Sequence, residues 1–444
     1  MPGSFVFDAN KCTGCGACRV ACTIENGLAP DVSWRRIETF NPDRRPIAPV
    51  FHVSLACNHC ATAACMNACP ALAYRRDGPT GAVLLDSNLC IGCGYCSWAC
   101  PYDAPVFDET AGVMTKCTWC ADRLQRGSKP ACTAHCPTGA LDYAQVAAPA
   151  RVTAMTGVPA TSLGPSLHLI PLAPGRMQPA MDMSGLPEAG GHDTLCSFPG
   201  QPENRGISLG KEWPLAVFTF GVAVLVALVA AAAAGAVRLS AWLFIPAAVA
   251  VMGVAGAHLG RKDRGYRAVL NLRRSWLSRE IVVVSLFVAL ASMWLMLFPT
   301  SVPLGWAAAV AGFAGLLCAD KVYGVLPGGS GLRHSAGVLL TGAVLASLVI
   351  TNVPLAIALI ALKAWMYLRW DPERGLTRML ATLRIVAGFI APVVLLVGTG
   401  DMRAAFVSAL VGEAIGRAEY YTQLARRTMR REMDSELRAI VTAA

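Results

Sequence analysis

Charge is what this chain has least of. Of its 444 residues only 15% are charged, while 55% are hydrophobic, against roughly 25% and 45–50% in an ordinary globular chain. That excludes a simple soluble enzyme. The shortage is uneven. Residues 1–144 hold 12 Lys and Arg against 12 Asp and Glu, and residues 145–210 hold 3 against 4. Residues 211–444 hold 23 against 12, so the whole formal excess of +10 lies in the most apolar part. A neutral module followed by an apolar one with basic loops excludes a nucleic-acid binder, which would carry its basic patch on the soluble module. Histidine is scarce too: residues 211–444 contain only His258 and His334. That is too few for the usual pairs of haem-ligating histidines, so no haem is expected. No apolar signal segment precedes Cys12, where a cysteine motif begins at once. Cysteine itself is nearly absent outside one region, with 16 of 18 lying between Cys12 and Cys136. Without an export signal, such a concentration points to metal chemistry more than to disulfides.

What is there is a fourfold repeat. Cys12, Cys15, Cys18 and Cys22 are spaced C-x-x-C-x-x-C-x-x-x-C, and Cys90, Cys93, Cys96 and Cys100 repeat that spacing before Pro101. Cys57, Cys60, Cys65 and Cys69 match it with two extra residues before the third Cys. Cys117, Cys120, Cys132 and Cys136 match it with a long insertion at the same place. A [4Fe–4S] cube needs four thiolates, and three from one tight loop can grip one face while the fourth serves a neighbouring cube. Glycines in TGCGAC and IGCGYC let the backbone approach the cube and donate N–H groups to its sulfurs. Paired C-x-x-C knuckles can also bind zinc, but zinc sites rarely take three Cys at this spacing. Sixteen ligands make four clusters, and none of the sixteen is replaced, so no three-iron cluster is implied. Four clusters without a substrate pocket make a wire for electrons.

Other marked residues in this module carry less. His59 and His135 read as supporting or surface residues, and Trp98 and Trp119 as rings that exclude water. The basic segment WRRIETFNPDRR, with Arg35, Arg36, Arg44 and Arg45, reads as a solvated or partner-facing surface. Residues 145–210 are rich in Pro, Gly, Ala and Met and read as a tether, with one run, SLHLIPL, able to pair as a strand and a lone Cys196.

Beyond Trp213 the apolar runs reach transmembrane length. Eight are expected, near 213–237, 241–260, 281–299, 302–318, 335–352, 354–368, 380–399 and 404–421, two of them short. Pro303 and Pro354 fall at helix starts, where a missing N–H does least harm. An even count puts both ends of the module on one face, whose loops and tail hold 18 Lys and Arg against Arg238 and Arg403 opposite. The positive-inside rule then puts the cysteine module in the cytoplasm.

Ionisable residues within spans are functional candidates by default. Four stand out: His258, Glu280, Glu413 and Arg417. Glu413 and Arg417 are four apart, so they share a helix face and either serve a site or simply pair. His258 and Glu280 flank the basic loop on the cysteine-module side, where a quinol headgroup would meet the wire. Quinol oxidation releases two electrons and two protons and needs groups that titrate near neutral. A transporter with a regulatory zinc domain is the non-redox alternative.

With these residues in view the chain resembles a family. Residues 1–144 are similar to the four-cluster electron-transfer subunit of dimethyl sulfoxide reductase-type molybdoenzymes, through LCIGCGYCSWACPYDAP, CTWCADRL and PACTAHCPTGAL. Residues 211–444 resemble the membrane anchor of the same enzymes, through AHLGRKDRGYRAVLNLRRSWLSRE and GEAIGRAEYY. The resemblance implies a duplicated α+β ferredoxin-like domain, a linker over 145–210 and an all-α polytopic bundle in the lipid membrane, fused in one polypeptide. It implies a separate molybdopterin-containing catalytic subunit as partner. It also implies shared ligation: Cys12, Cys15 and Cys18 with Cys136; Cys117, Cys120 and Cys132 with Cys22; Cys57, Cys60 and Cys65 with Cys100; Cys90, Cys93 and Cys96 with Cys69. A quinol site near His258 and Glu280 is implied as well. The family's best-known members carry the cluster subunit in the periplasm, against the charge rule. The same wire run in reverse, from a formate dehydrogenase-like subunit to quinone, has the same sequence signature.

Overall fold

The computed structural model describes residues 3–40, 49–145, 162–173, 207–326, 334–369 and 375–424. The chain divides into two compact units, the first within Met1–Arg205 and the second within Gly206–Ala425.

The first unit is built from short elements threaded between cysteine loops. β1 (Gly3–Asp8) is the centre of a three-stranded sheet, with β8 (Leu141–Gln145) antiparallel on one side and β9 (Leu167–Ile170) parallel on the other. β9 is the strand expected in SLHLIPL. Its alternation puts Leu167 and Leu169 in the core while Ile170 stays exposed. Three hairpins follow: β2 (Arg36–Phe40) with β3 (Phe51–Leu55), β4 (Tyr74–Arg76) with β5 (Val83–Leu85), and β6 (Val106–Asp108) with β7 (Val113–Thr115). Short helices α1 (Ala17–Glu25), α2 (Ala64–Ala68), α3 (Tyr95–Trp98), α4 (Ala121–Gln125) and α5 (Ala131–Ala134) carry cysteines or follow them directly. Gly16 and Gly94 occupy equivalent places, one residue before α1 and α3, with φ of 81° and 71°. A side chain there would be forced into the left-handed region. The core gathers Phe5, Phe7, Phe40, Val53, Leu141 and Trp119 around the thiols of Cys18 and Cys132.

The second unit is helical: α6 (Leu209–Ala233), α7 (Ala241–Ala257), α8 (Trp276–Leu297), α9 (Val302–Val322), α10 (Val338–Val349) and α11 (Val353–Leu368). Next, α12 (Gly375–Arg384) runs on through π-helical turns that flank α13 (Ala391–Val394), and α14 (Met402–Gln423) closes the unit. Pro303 and Pro354 lie in the first turns of α9 and α11, as their positions in sequence imply.

Against the eight expected spans, four helices among the described residues are long and apolar enough to cross a membrane. A fifth is reached if α7 and the 3₁₀ stretch Lys262–Val269, bent by 105°, count as one. α10 and α11, with 12 and 16 residues, fall short of the roughly 20 a span needs. α14 fails on composition, carrying Arg403, Glu413, Arg417 and Glu419. One residue leaves the loop-charge count. Arg384 lies at the end of α12, 1% exposed, with Nη1 3.2 Å from Oε2 of Glu419. It is an internal charge, not a loop charge.

Small residues let the helices close up. A Cβ added to Gly412 in α14 would lie 2.1 Å from Cα of Gly388, and one on Gly312 in α9 would lie 2.7 Å from the Val226 side chain of α6. Contacts this close are how helices without a hydrophobic driving force between them gain packing energy.

Candidate metal centres and membrane site

The four cysteine loops meet in pairs that the linear order does not suggest. Cys12, Cys15 and Cys18 line one cavity together with Cys136, with about 300 Å³ of atom-free space partly open to solvent. Cys90, Cys93 and Cys96 line a second with Cys69, of about 280 Å³. Cys22 lies within electrostatic reach of Cys120 and Cys132, and Cys117 of Cys22 and Cys132. Cys57 and Cys100 act together on both Cys60 and Cys65. All sixteen thiols are free of disulfides. The sets also form a sequence. Cys18 and Cys22 join the first set to the next, Cys117 packs with Cys57, and Tyr74 stands between Cys65 and Cys96.

These sites fit clusters on three grounds. First, the donor set is four thiols in each group. Burial pushes Cys22, Cys60 and Cys100 up to about 12, so thiolates there require positive charge to stabilise them. Second, backbone N–H groups already address the sulfurs: Trp119 N donates to Cys117 Sγ at 3.3 Å, and Ala73, Gly92 and Leu141 N donate to Cys69, Cys90 and Cys136 at 3.4 Å. Such bonds favour the anionic sulfur. Third, buried donors of Asn58 and Trp119 have no acceptor among the described residues, and those of Arg35 and Tyr74 meet only the thiols of Cys132 and Cys96. Buried polar groups are normally paired, so each orphan marks a missing acceptor. Cluster sulfur would supply it. The cubes would be held by the sixteen cysteines in these four sets.

Several minor readings change. Arg35 is not on the surface: it is 2% exposed, with Nη1 donating to Ser54 Oγ at 2.9 Å. Arg36 pairs with Asp103 at 3.1 Å. Both sit where Trp34 leads into β2, a core strand, so their charges are carried inward. Arg44, Arg45 and Cys196 lie outside the described residues. His59 is buried too, accepting from Val83 N at 3.0 Å on Nδ1 and stacking on Trp119 at 4.6 Å. Burial, with Lys116, Arg76 and Arg35 nearby, holds it well below the usual histidine range, hence neutral. His135 donates from Nδ1 to Ala131 O at 2.9 Å.

In the helical unit the four expected residues separate into three settings. Glu280, 4% exposed on α8, makes no hydrogen bond or ion pair with any described residue, and Arg417, Asp320 and Tyr421 act on it through space. His258 ends α7, with Nδ1 3.3 Å from Oε2 of Glu212 in the first turn of α6. Glu413 and Arg417 share a face of α14 but do not pair. Lys363 from α11 takes Glu413 at 2.5 Å, and Thr341 donates to the same oxygen at 2.6 Å. Arg417 donates to Thr219 Oγ1 at 3.0 Å and Tyr323 Oη at 2.9 Å, and lies 5.0–5.1 Å from the ring centres of Tyr323, Tyr420 and Tyr421. The Tyr420 hydroxyl is buried with no partner among the described residues. Asp320 caps α10, accepting from Val338 and Leu339 N at 2.9 and 3.0 Å. Glu212, Asp320, Lys363 and the tyrosines were missed in sequence, though each polar residue inside an apolar run was a legible signal.

Comparison with known proteins agrees with the two units. A 4Fe-4S dicluster domain model matches residues 49–146, and a DMSO reductase anchor subunit (DmsC) model matches residues 211–311. One chain of the anaerobic dimethyl sulfoxide reductase of Escherichia coli is 43% identical over 152 residues, covering 32% of the present sequence and 73% of that relative. Thiosulfate reductase electron transfer subunit PhsB of Salmonella typhi is 38% identical over 144 residues, covering 32% and 74%. A subunit of the sulfite dehydrogenase of Allochromatium vinosum is 35% identical over 164 residues, covering 32% and 68%. A ferredoxin-like iron–sulfur unit thus precedes a helical unit of anchor type. The protein belongs to the dimethyl sulfoxide reductase family of iron–sulfur subunits, joined on one polypeptide to a DmsC-type membrane anchor.

Proposed function

We propose that this protein oxidises membrane quinol at its anchor and delivers the electrons, through four [4Fe–4S] clusters, to a separate molybdopterin-containing catalytic subunit. The observation that carries the reading is the series of four thiol sets in the first unit together with an unpartnered carboxyl, Glu280, buried in the second. The clusters supply one-electron steps between a two-electron donor and the partner. The ligands are Cys12, Cys15, Cys18 and Cys136; Cys22, Cys117, Cys120 and Cys132; Cys57, Cys60, Cys65 and Cys100; and Cys69, Cys90, Cys93 and Cys96.

At the anchor, Glu280 accepts a quinol proton, and His258, with Glu212 3.3 Å away, forms a second acceptor. Arg417, held by Thr219 and Tyr323, presents a fixed positive charge to the headgroup oxygen. Glu413, engaged by Lys363, holds α11 to α14 and so positions the helix that carries Arg417. We read all eight expected segments as spans, with α12 and α13 in one, the short α10 and α11 being sheltered by their neighbours. The loop charge favours the cytoplasmic face for the iron–sulfur unit. A C-terminal reporter active only in the periplasm would reverse that orientation.

A zinc-bearing regulatory module is disfavoured. Three Cys at x-x spacing with a fourth after x-x-x, as in Cys12, Cys15, Cys18 and Cys22, is rare at zinc sites. The reverse flow, from a donor oxidised at the partner into quinone, keeps its place because one relative is named as part of a sulfite dehydrogenase. Its direction depends on potentials, not on these residues. The test of the anchor is Glu280→Gln. Quinol-driven cluster reduction should fall more than tenfold while dithionite reduction and iron content stay as in the parent. Wild-type quinol rates in that variant would move the site elsewhere.

A further inference from the structure

The buried guanidinium of Arg35 has no role in the reading above, and its surroundings are unusual. It is 2% exposed and pairs with no carboxylate among the described residues: the charged groups acting on it most are the thiols of Cys132, Cys18, Cys117 and Cys22, in falling order. Those four come from two different sets. Cys18 belongs with Cys12, Cys15 and Cys136, and the other three belong with Cys120. Nη1 donates to Ser54 Oγ at 2.9 Å, and that oxygen lies 3.5 Å from Cys18 Sγ. Nη2 is buried, and the only acceptor within reach on that side among the described residues is the Cys132 thiol. The guanidinium also lies 4.6 Å over the Phe5 ring, which fixes it laterally.

A buried cation without a counter-charge is costly unless something negative completes it. Four thiolates outweigh the positive charge of the cube they hold, so each bound cube presents net negative charge to its surroundings. Hydrogen bonds and net charge at the sulfurs are the levers that set a cluster's potential. We propose that Arg35 is a shared redox-tuning residue, set between the Cys12–Cys15–Cys18–Cys136 cluster and the Cys22–Cys117–Cys120–Cys132 cluster. It favours the reduced state of both, through Ser54 on one side and the guanidinium's reach to Cys132 on the other. No bond is made or broken. Each added electron is met by a positive charge already in place, so little reorganisation is needed. Arginine suits the position because it stays charged when buried and its fork can serve two acceptors.

The proposal rests on the sixteen cysteines holding four cubes, and the experiment separates the two claims. The purified full-length protein, its Arg35→Gln variant and its Arg35→Lys variant are titrated with EPR detection, iron being counted first. Fewer than sixteen irons in the parent would fail the underlying reading, not the role of Arg35. With sixteen present, Arg35→Gln should lower two of the four midpoint potentials. At fixed ambient potential the reduced-to-oxidised ratio of those two should drop about tenfold, which is 59 mV for a one-electron couple. Arg35→Lys, which keeps the charge, should move them less. Four unchanged midpoints, or four that shift equally, would overturn the proposal. If Arg35→Gln does not assemble its clusters, the parent decides. Grown with ¹⁵N-arginine and reduced, it should show a nitrogen coupling in pulsed EPR that Arg35→Lys lacks, and the absence of that coupling also overturns it.

Discussion

In the iron–sulfur unit, buried donors of Asn58 and Trp119 have no acceptor among the described residues and that of Tyr74 meets only a thiol, whereas in the anchor unit Lys363 and Arg384 each find a carboxylate within 3.2 Å. Both units bury polar groups. They differ in what completes them. The first is arranged around acceptors that the polypeptide does not supply, so its core is part protein and part cofactor. The second completes its own charges: Lys363 with Glu413 and Thr341, Arg384 with Glu419 and Ser335, Arg417 with Thr219 and a tyrosine cage. Against that background Glu280, a buried carboxyl without a donor among the described residues, and the unpartnered Tyr420 hydroxyl behave like the first unit. Unmet polarity, rather than polarity alone, marks the places where something else binds.

The comparison breaks most visibly if the metal is withdrawn. Sixteen thiols and their loops supply much of the first unit's interior, and binding free energy at such sites is folding free energy. Removing iron with a chelator should abolish cooperative unfolding of that unit and open residues 49–145 to protease. The helical signal of the anchor should be retained. A single change, Cys93→Ser, should perturb one cluster and interrupt transfer. If the iron-free first unit resists protease as well as the holo form, its core does not depend on clusters.

The second unit should respond to the opposite treatment, losing stability when one of its own partners is removed. Lys363→Met leaves Glu413 buried without its cation, a change worth roughly 3–5 kcal/mol. The double variant Lys363→Met with Glu413→Leu should recover most of that loss, because replacing a whole buried pair is often neutral. Unfolding in detergent, followed by circular dichroism, measures both. A double variant as unstable as the single would show that the pair does more than complete itself.

How much of this was legible in the sequence follows from range. The cysteine groups are local patterns, so TGCGAC and IGCGYC announce their chemistry within six residues, and the strand SLHLIPL shows its alternation just as locally. The pairing of Glu413 with Lys363 spans 50 positions, and nothing in either helix alone says that they are neighbours. Proximity along α14 suggested Arg417 instead. Arg35 misled for a related reason, since a Trp-Arg-Arg run looks like surface until β2 carries it inward. The number of spans is not legible from the apolar runs alone, because such runs report lipid or core equally well, and α10 has only 12 residues.

The smallest test concerns glycine, which the two units use for different ends. Gly16 has open space around its Cα but a φ of 81°, so the backbone conformation is what excludes a side chain. Gly412 has an ordinary helical backbone, and what excludes a side chain is Gly388, 2.1 Å from where a Cβ would stand. Gly412→Ala must therefore push α14 away from the π-helical turn Ile385–Ile390 that it packs on, overpacking that costs roughly 1–3 kcal/mol. Gly16→Ala strains one residue at about 1 kcal/mol and should leave the anchor untouched. Gly253→Ala is the control. That residue lies exposed in α7 with nothing within 4 Å, and alanine there should be neutral or stabilising by about 0.4–1 kcal/mol. Each is read from the shift of the unfolding midpoint of the unit that contains it. If Gly412→Ala proves as harmless as Gly253→Ala, the close approach of α14 to Gly388 does not hold the anchor together, and its buried ion pairs carry that role alone.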